Sequence, residues 1–300
     1  MKTSVKEGAG VQHVGDEDHW PRVRSRHVSV SGASIHVREE GAGGDVVLLL
    51  PGSGMSWRIW QPQIPALRRR FRLLLPDLRG HGDSDRAFPH NRYDARLQAR
   101  DLVEVLDSYE VRAAHVVGVS QGAVVAQLLA ATWPERVRRL VVADSYSEIP
   151  TATSERALQV ANVVTRLLPM PVIKLAALAP YARQREVRRT LRRSWAIDKR
   201  ELLALKTAPF PDHTDELSRI QAPTLVLAGD RVLAGADEVR AARILVEHIP
   251  DARGIVYAGA FDPVTLMRAR DATAAILAFL DGRALPHAAR AYPLDDVPER

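Results

Sequence analysis

The chain has 300 residues, 46% hydrophobic and 26% charged, which excludes wholesale disorder and a fibrous repeat. It contains no cysteine, and so no disulfide scaffold, zinc–thiolate site, iron–sulfur cluster or cysteine nucleophile. The net charge of +6, from 42 Lys and Arg against 36 Asp and Glu, is a small excess, and with 5% aromatics it argues against a nucleic-acid binder.

Residues 1–20 are polar, lack the apolar core of a signal peptide and read as a disordered lead-in. Residues 22–30 and 34–38, joined at Ser31-Gly32-Ala33, read as a β-hairpin. Residues 45–50 form an apolar run expected of a strand buried on both faces. A helix is expected over 56–69 and a second buried strand over 71–75. Over 93–109, Leu97, Leu102, Val105 and Leu106 share one side of a helix. Strands at 115–119, 137–143, 224–228 and 254–257 alternate with helices at 122–133, 236–248 and 268–280. Such alternation implies βαβ units and a mostly parallel sheet with helices on both faces.

The alternation breaks once, over 145–220. Prolines at 150, 169, 171, 180, 209 and 211 punctuate a helical pattern there, which reads as a helical cap inserted between two core strands. The expected organisation is a core of 21–144 and 221–282, the cap at 145–220 and a surface tail at 283–300. Arginines at 183, 185, 188, 189, 192, 193 and 200 mark a solvated helix face or an attraction for an acidic substrate or partner. Apolar runs such as 46–51 are too short to cross a bilayer. The expectation is a cytoplasmic protein without a membrane or nucleic-acid partner, with a homodimer left open.

Gly118-Val119-Ser120-Gln121-Gly122 fits G-x-S-x-G, preceded by a buried strand and followed by an apolar helix, the context of a nucleophile elbow. A serine on such a turn stands above the sheet, and the helix N-terminus behind it favours developing negative charge.

With this elbow, the chain resembles an α/β-hydrolase of the kind that carries a helical cap. The resemblance covers about 22–281. It also rests on Leu50-Pro51-Gly52-Ser53-Gly54, on the loop Asp77-Leu78-Arg79-Gly80-His81-Gly82-Asp83-Ser84, and on 222–230, the strand that normally leads to the acid. It implies Ser120 as nucleophile and the N–H groups of Ser53 and Gln121 as an oxyanion hole. Pro51 stands where the family usually has histidine. Gly52, Gly54, Trp57 and Phe261 are expected to line the substrate pocket, Trp60 to pack in the core and His81 to be structural. No metal or cofactor is implied.

The rest of the triad departs from the family. The histidine position after the last strand, in Tyr257-Ala258-Gly259-Ala260-Phe261-Asp262-Pro263, falls on Ala260, and Asp262 lies two residues beyond it. The acid is Asp144, after the sixth strand, or Asp230, after Gly229. Without a base, a serine site loses on the order of 10⁶ in turnover, while hole and binding retain roughly 10³–10⁴ over water. The readings left open are an inactive variant or non-hydrolytic relative of an enzyme acting on an ester, thioester, lactone or C–C bond, and a catalytically dead small-molecule binding protein. Leu167, Leu168, Met170, Ile173 and Leu178 in the cap point to a hydrophobic substrate.

Overall fold

The computed structural model describes residues 24–86, 88, 93–148, 163, 165–208, 212–233, 237–288 and 290–297. The lead-in at 1–20 lies outside them.

Nine strands form one sheet, ordered β1-β2-β4-β3-β5-β6-β7-β8-β9. They are β1 (Arg24–Val30), β2 (Ala33–Glu40), β3 (Val46–Leu50), β4 (Arg72–Pro76), β5 (Ala114–Val119), β6 (Val137–Ala143), β7 (Thr224–Gly229), β8 (Ala252–Tyr257) and β9 (Ala291–Pro293). The six strands from β3 to β8 run parallel. The hairpin β1–β2 and the last strand β9 flank them in antiparallel pairings. β3, β5 and β7 are buried along their whole length, as continuous apolar runs require of strands covered on both faces.

Helices cover the two faces: α1 (Ile64–Leu67), α2 (Ala95–Ser108), α3 (Gln121–Thr132), α7 (Glu238–His248), α8 (Val264–Met267) and α9 (Ala269–Leu280). One core cluster packs α2, α3 and α7 on the sheet, and the other packs α1, α8 and α9. Asp94 caps α2 by accepting the N–H groups of Arg96 and Leu97, which fixes where the helix starts.

Two expectations are corrected. The helix over 56–69 is instead a 3₁₀ turn, Trp57–Trp60, followed by the short α1. Pro62 and Pro65 lack the N–H that a continuous helix would need and would clash with the preceding turn. The tail after residue 282 is not merely surface chain. Its β9 pairs with β8, and Leu294 and Val297 are buried.

Between β6 and β7 lie α4 (Met170–Leu178), α5 (Arg185–Ser194), α6 (Lys199–Thr207) and a 3₁₀ turn, Thr214–Arg219. α5 buries Val187, Thr190, Leu191 and Ser194, a stripe at helical spacing, and turns Arg185, Arg189, Arg192 and Arg193 to solvent. The chain after α5 is clasped to the core. Ser56 N–H donates to the Ser194 carbonyl at 2.7 Å, Ala196 N–H to Gly54 at 2.8 Å, and Gly82 N–H to Ala196 at 3.1 Å.

Because β3 to β8 are parallel, the loops at their C-terminal ends meet along one rim, where open α/β sheets place their ligands. No described helix is long and apolar enough to cross a membrane.

Candidate active site

Ser120 sits where β5 turns into α3, with φ 51° and ψ −121°. Such a conformation is costly for a residue with a side chain and persists only where its surroundings enforce it. Here they do. A Cβ on Gly118 would come within 2.6 Å of the Ala123 Cα, and one on Gly122 within 2.4 Å of the Pro51 carbonyl oxygen. Glycine at both positions therefore allows the turn to close. Ser120 N–H donates to the Ala143 carbonyl at 2.8 Å, joining the elbow to β6.

The loop after β3 presses on this turn. A Cβ on Gly52 would stand 3.4 Å from the Ser120 Cβ, and Met55 N–H closes the loop onto the Gly52 carbonyl at 3.1 Å. Ser53, exposed on that loop, is thus adjacent in sequence to a residue in contact with the serine. Gln121 is the first residue of α3, so its N–H has no acceptor within the helix.

Behind the elbow runs a buried polar chain. His213 Nε2 meets Gln127 Oε1 at 3.1 Å, Gln127 Nε2 donates to Ser145 Oγ at 3.0 Å, and Ser145 Oγ donates to the Ser120 carbonyl at 3.3 Å. It holds the backbone of the serine rather than its hydroxyl.

Beside the Ser120 hydroxyl lies the carboxyl of Asp262, which that hydroxyl favours in its ionised form. Ala260, the position the family pattern assigns to histidine, is fully buried, and its carbonyl accepts the N–H of Arg231 at 3.0 Å. Sequence spacing alone missed this residue: the loop's path, rather than its count, selects which side chain faces the serine.

Asp144 and Asp230 have different surroundings. Asp230 accepts the Gly259 N–H at 2.6 Å on one oxygen and the Tyr292 hydroxyl at 3.2 Å on the other, bracing the ends of β8 and β9. Asp144 is buried at φ 46° beyond β6, and its Oδ2 accepts the Val264 N–H. Its Oδ1 is buried without a partner among the described residues. Burial first, then the charges of Asp262 and Glu238, raise the Asp144 carboxyl well above the usual range. Glu238, at the start of α7, is pushed up to about 8 by burial and by Asp262. Burial raises Asp262 to about 6, against the lowering effect of the nearby Ser120 hydroxyl. Three carboxyls thus share one poorly solvated region beside the serine.

Tyr181 donates its hydroxyl to the Asp262 carbonyl and packs its ring 5.2 Å from that of Phe261. Trp57 is buried, with the Arg38 guanidinium 4.0 Å from its ring and its backbone N–H donating to Asp77 Oδ1 at 2.8 Å. Gly54 faces Ile197 of the inserted segment, 2.7 Å from where its Cβ would be. His81 is buried against Tyr93, and desolvation holds its imidazole down at about 4, which leaves it neutral at pH 7.

A cavity of about 360 Å³ opens between the loop after β4 and the inserted helices, with Phe88, Tyr93, Ile197 and Leu205 in its wall. The Tyr93 hydroxyl also lies near Gln121, so this wall reaches the residue next to Ser120. Gly80, His81 and Arg86 on one side and Asp198, Glu201 and Ala204 on the other complete its lining.

Comparison with known proteins bears on the fold. A hydrolase from Pseudomonas aeruginosa PA01 superposes with a TM-score of 0.75 at 28% identity, covering 85% of this chain and 98% of its own. An enol-lactonase from Burkholderia xenovorans LB400 gives 0.74 at 26%, covering 85% and 100%. In sequence, the protein designated carbamate hydrolase RutD of Caulobacter segnis is 41% identical over 106 residues, which are 35% of this chain and 40% of the relative. The chain thus matches less than half the length of that curated relative. The model of the alpha/beta hydrolase fold matches residues 45–203, more than half of the sequence, and the chain belongs to the α/β-hydrolase family.

Proposed function

We propose that the protein is a serine hydrolase acting on a small, hydrophobic carbonyl compound: an ester, thioester, lactone or activated C–C bond. The observation that carries this reading is the strained Ser120, held by glycines on both sides and pressed by the Gly52 loop. A turn of this kind stores strain for which a packing role gives no reason. In the proposed reaction Ser120 Oγ bonds to the carbonyl carbon and the carbonyl electron pair moves onto oxygen. The N–H groups of Ser53 and Gln121 hold that oxyanion, and loss of one such donor typically costs about 10²–10³ in turnover. The leaving group departs, and water releases the acyl group from the serine. The inserted helices within 145–220 act as a cap. The apolar wall of Phe88, Ile197 and Leu205 takes the hydrophobic part of the substrate. The enol-lactonase and carbamate hydrolase among its relatives are consistent with carbonyl chemistry of this class.

Ala260 favours a second reading, a small-molecule binding protein that has lost its chemistry. Treatment with a fluorophosphonate, with the adduct located by peptide mass spectrometry, separates the two. A stoichiometric adduct on Ser120 is expected. A protein that binds no fluorophosphonate and hydrolyses no p-nitrophenyl acetate across pH 5–9 is the binder.

A further inference from the structure

We propose that Asp262 is the general base of this site, so that Ser120 works with a carboxylate in the place where the family pattern leads one to expect an imidazole. The proposal rests on the serine-nucleophile reading above and names the group that moves its proton.

Position is the first argument. The Asp262 carboxyl lies beside the Ser120 hydroxyl, and an alcohol needs a nearby base to become a nucleophile. Two described histidines on neighbouring elements face other groups: His81 meets Tyr93 edge-on with its Nδ1 3.3 Å from the Arg79 carbonyl, and His213 bonds Gln127 behind the elbow. The loop that carries Asp262 is held on both sides. Tyr181 grips the Asp262 carbonyl, and Val264 N–H is bound by Asp144.

The distribution of charge is the second. The groups facing Asp262 are Ser120 from the elbow, Asp144 and Tyr146 from the end of β6, Glu238 from α7 and Tyr181 from the inserted segment. Burial disfavours ionisation of Asp144, Glu238, Tyr146 and Tyr181 at pH 7. Of these carboxyls Asp262 is raised less than Glu238, and it is the one beside the serine. Its raised pKa, near the working pH, suits a proton acceptor better than an ordinary aspartate would.

The proton balance closes. Ionised Asp262 takes the Ser120 proton as Oγ bonds to the carbonyl carbon and the π pair moves to oxygen. The neutral carboxyl returns that proton to the departing alkoxide as the carbon–oxygen bond breaks. In the second half it takes a proton from water as the water oxygen adds to the acyl carbon, and hands it to Ser120 Oγ as the enzyme ester breaks. Asp144, whose Oδ2 accepts the Val264 N–H beside this loop, is a positioning residue.

The test uses the full chain, with fluorophosphonate labelling of Ser120 and p-nitrophenyl acetate hydrolysis from pH 5 to 9. The wild type is expected to label, with kcat/KM rising through an apparent pKa near 6. Asp262→Asn should slow labelling by about 10²–10⁴. Asp262→His should restore it and move the inflection towards about 6.5. Ala260→His should give no gain, since position 260 is fully buried. Labelling of Asp262→Asn at the wild-type rate, or recovery by Ala260→His alone, overturns the proposal and leaves the serine in place. An unlabelled wild type with a labelled Asp262→His also overturns it, because the nucleophile is then competent and the carboxylate is not. Absence of labelling in all variants overturns the nucleophile reading as well.

Discussion

Asp144 Oδ2 accepts the backbone N–H of Val264, 120 residues further along the chain, and this bond ties the end of β6 to the loop that carries Asp262. Removing the acceptor should release that loop. Asp144→Ala is expected to cost about 1–3 kcal/mol, the usual penalty for orphaning a buried polar group, and to speed hydrogen exchange at the Val264 amide. Asp144→Asn keeps an acceptor for Val264 and should retain both stability and protection. Equal protection in Asp144→Ala would show that the bond does not hold the loop.

The buried carboxyls predict how stability depends on pH. Asp144, Glu238 and Asp262 bind protons more tightly folded than unfolded, so stability falls as pH rises from about 4 through their folded pKa values. His81 and His115, both held down at about 4 by burial, act in the opposite sense: their contribution is lost as pH falls from about 6.5 towards 4. The two effects oppose below pH 6.5, and above it the carboxyls act alone. Urea midpoints should therefore decline between pH 6.5 and 8, and Glu238→Gln should flatten the decline. A midpoint that stays constant over this interval in the wild type contradicts it.

The elbow should tolerate no side chain at position 122. A methyl group there would lie 2.4 Å from the Pro51 carbonyl oxygen and 2.5 Å from that of Leu50, both rigid backbone. Gly122→Ala is expected to lose about 1–3 kcal/mol or more through overpacking, and fluorophosphonate labelling with it. Thermal unfolding monitored by circular dichroism reads the first effect. An unchanged midpoint would mean that the β3 loop can retreat from the turn.

Gln127 joins His213 to Ser145 behind the nucleophile. Gln127→Leu preserves volume and leaves both partners short of a hydrogen bond in a buried place. A loss of about 1–3 kcal/mol is expected, with labelling of Ser120 reduced far less than by Asp262→Asn. A larger loss of labelling than of stability would assign the chain a catalytic rather than a supporting role.

Some of this architecture is legible locally and some is not. β3 and β5 are readable because a strand buried on both faces must be apolar throughout, and 46–50 and 115–119 satisfy that almost residue by residue. The elbow is readable because its glycines are demanded by backbone contacts at fixed offsets from Ser120. β9 is not, since three residues at a sheet edge carry too little pattern to distinguish them from loop. Asp262 escapes for another reason. The loop after β8 turns at Gly259, at φ 68°, and is then fixed by Arg231 on the Ala260 carbonyl and by Asp144 on Val264. Those partners lie beyond the ends of β6 and β7, far off in sequence, so spacing within 257–263 carries no information about which side chain emerges beside the serine.

The clasp between the inserted segment and the core has a mechanical consequence. Gly54 and Ser56, which bond Ala196 and Ser194, belong to the same short loop as Gly52, the residue packed on Ser120. Displacement of the insert at this edge pulls directly on the backbone that abuts the nucleophile. The insert is therefore pinned to the core here, and a shift that loosens this edge misaligns the serine's surroundings at the same moment.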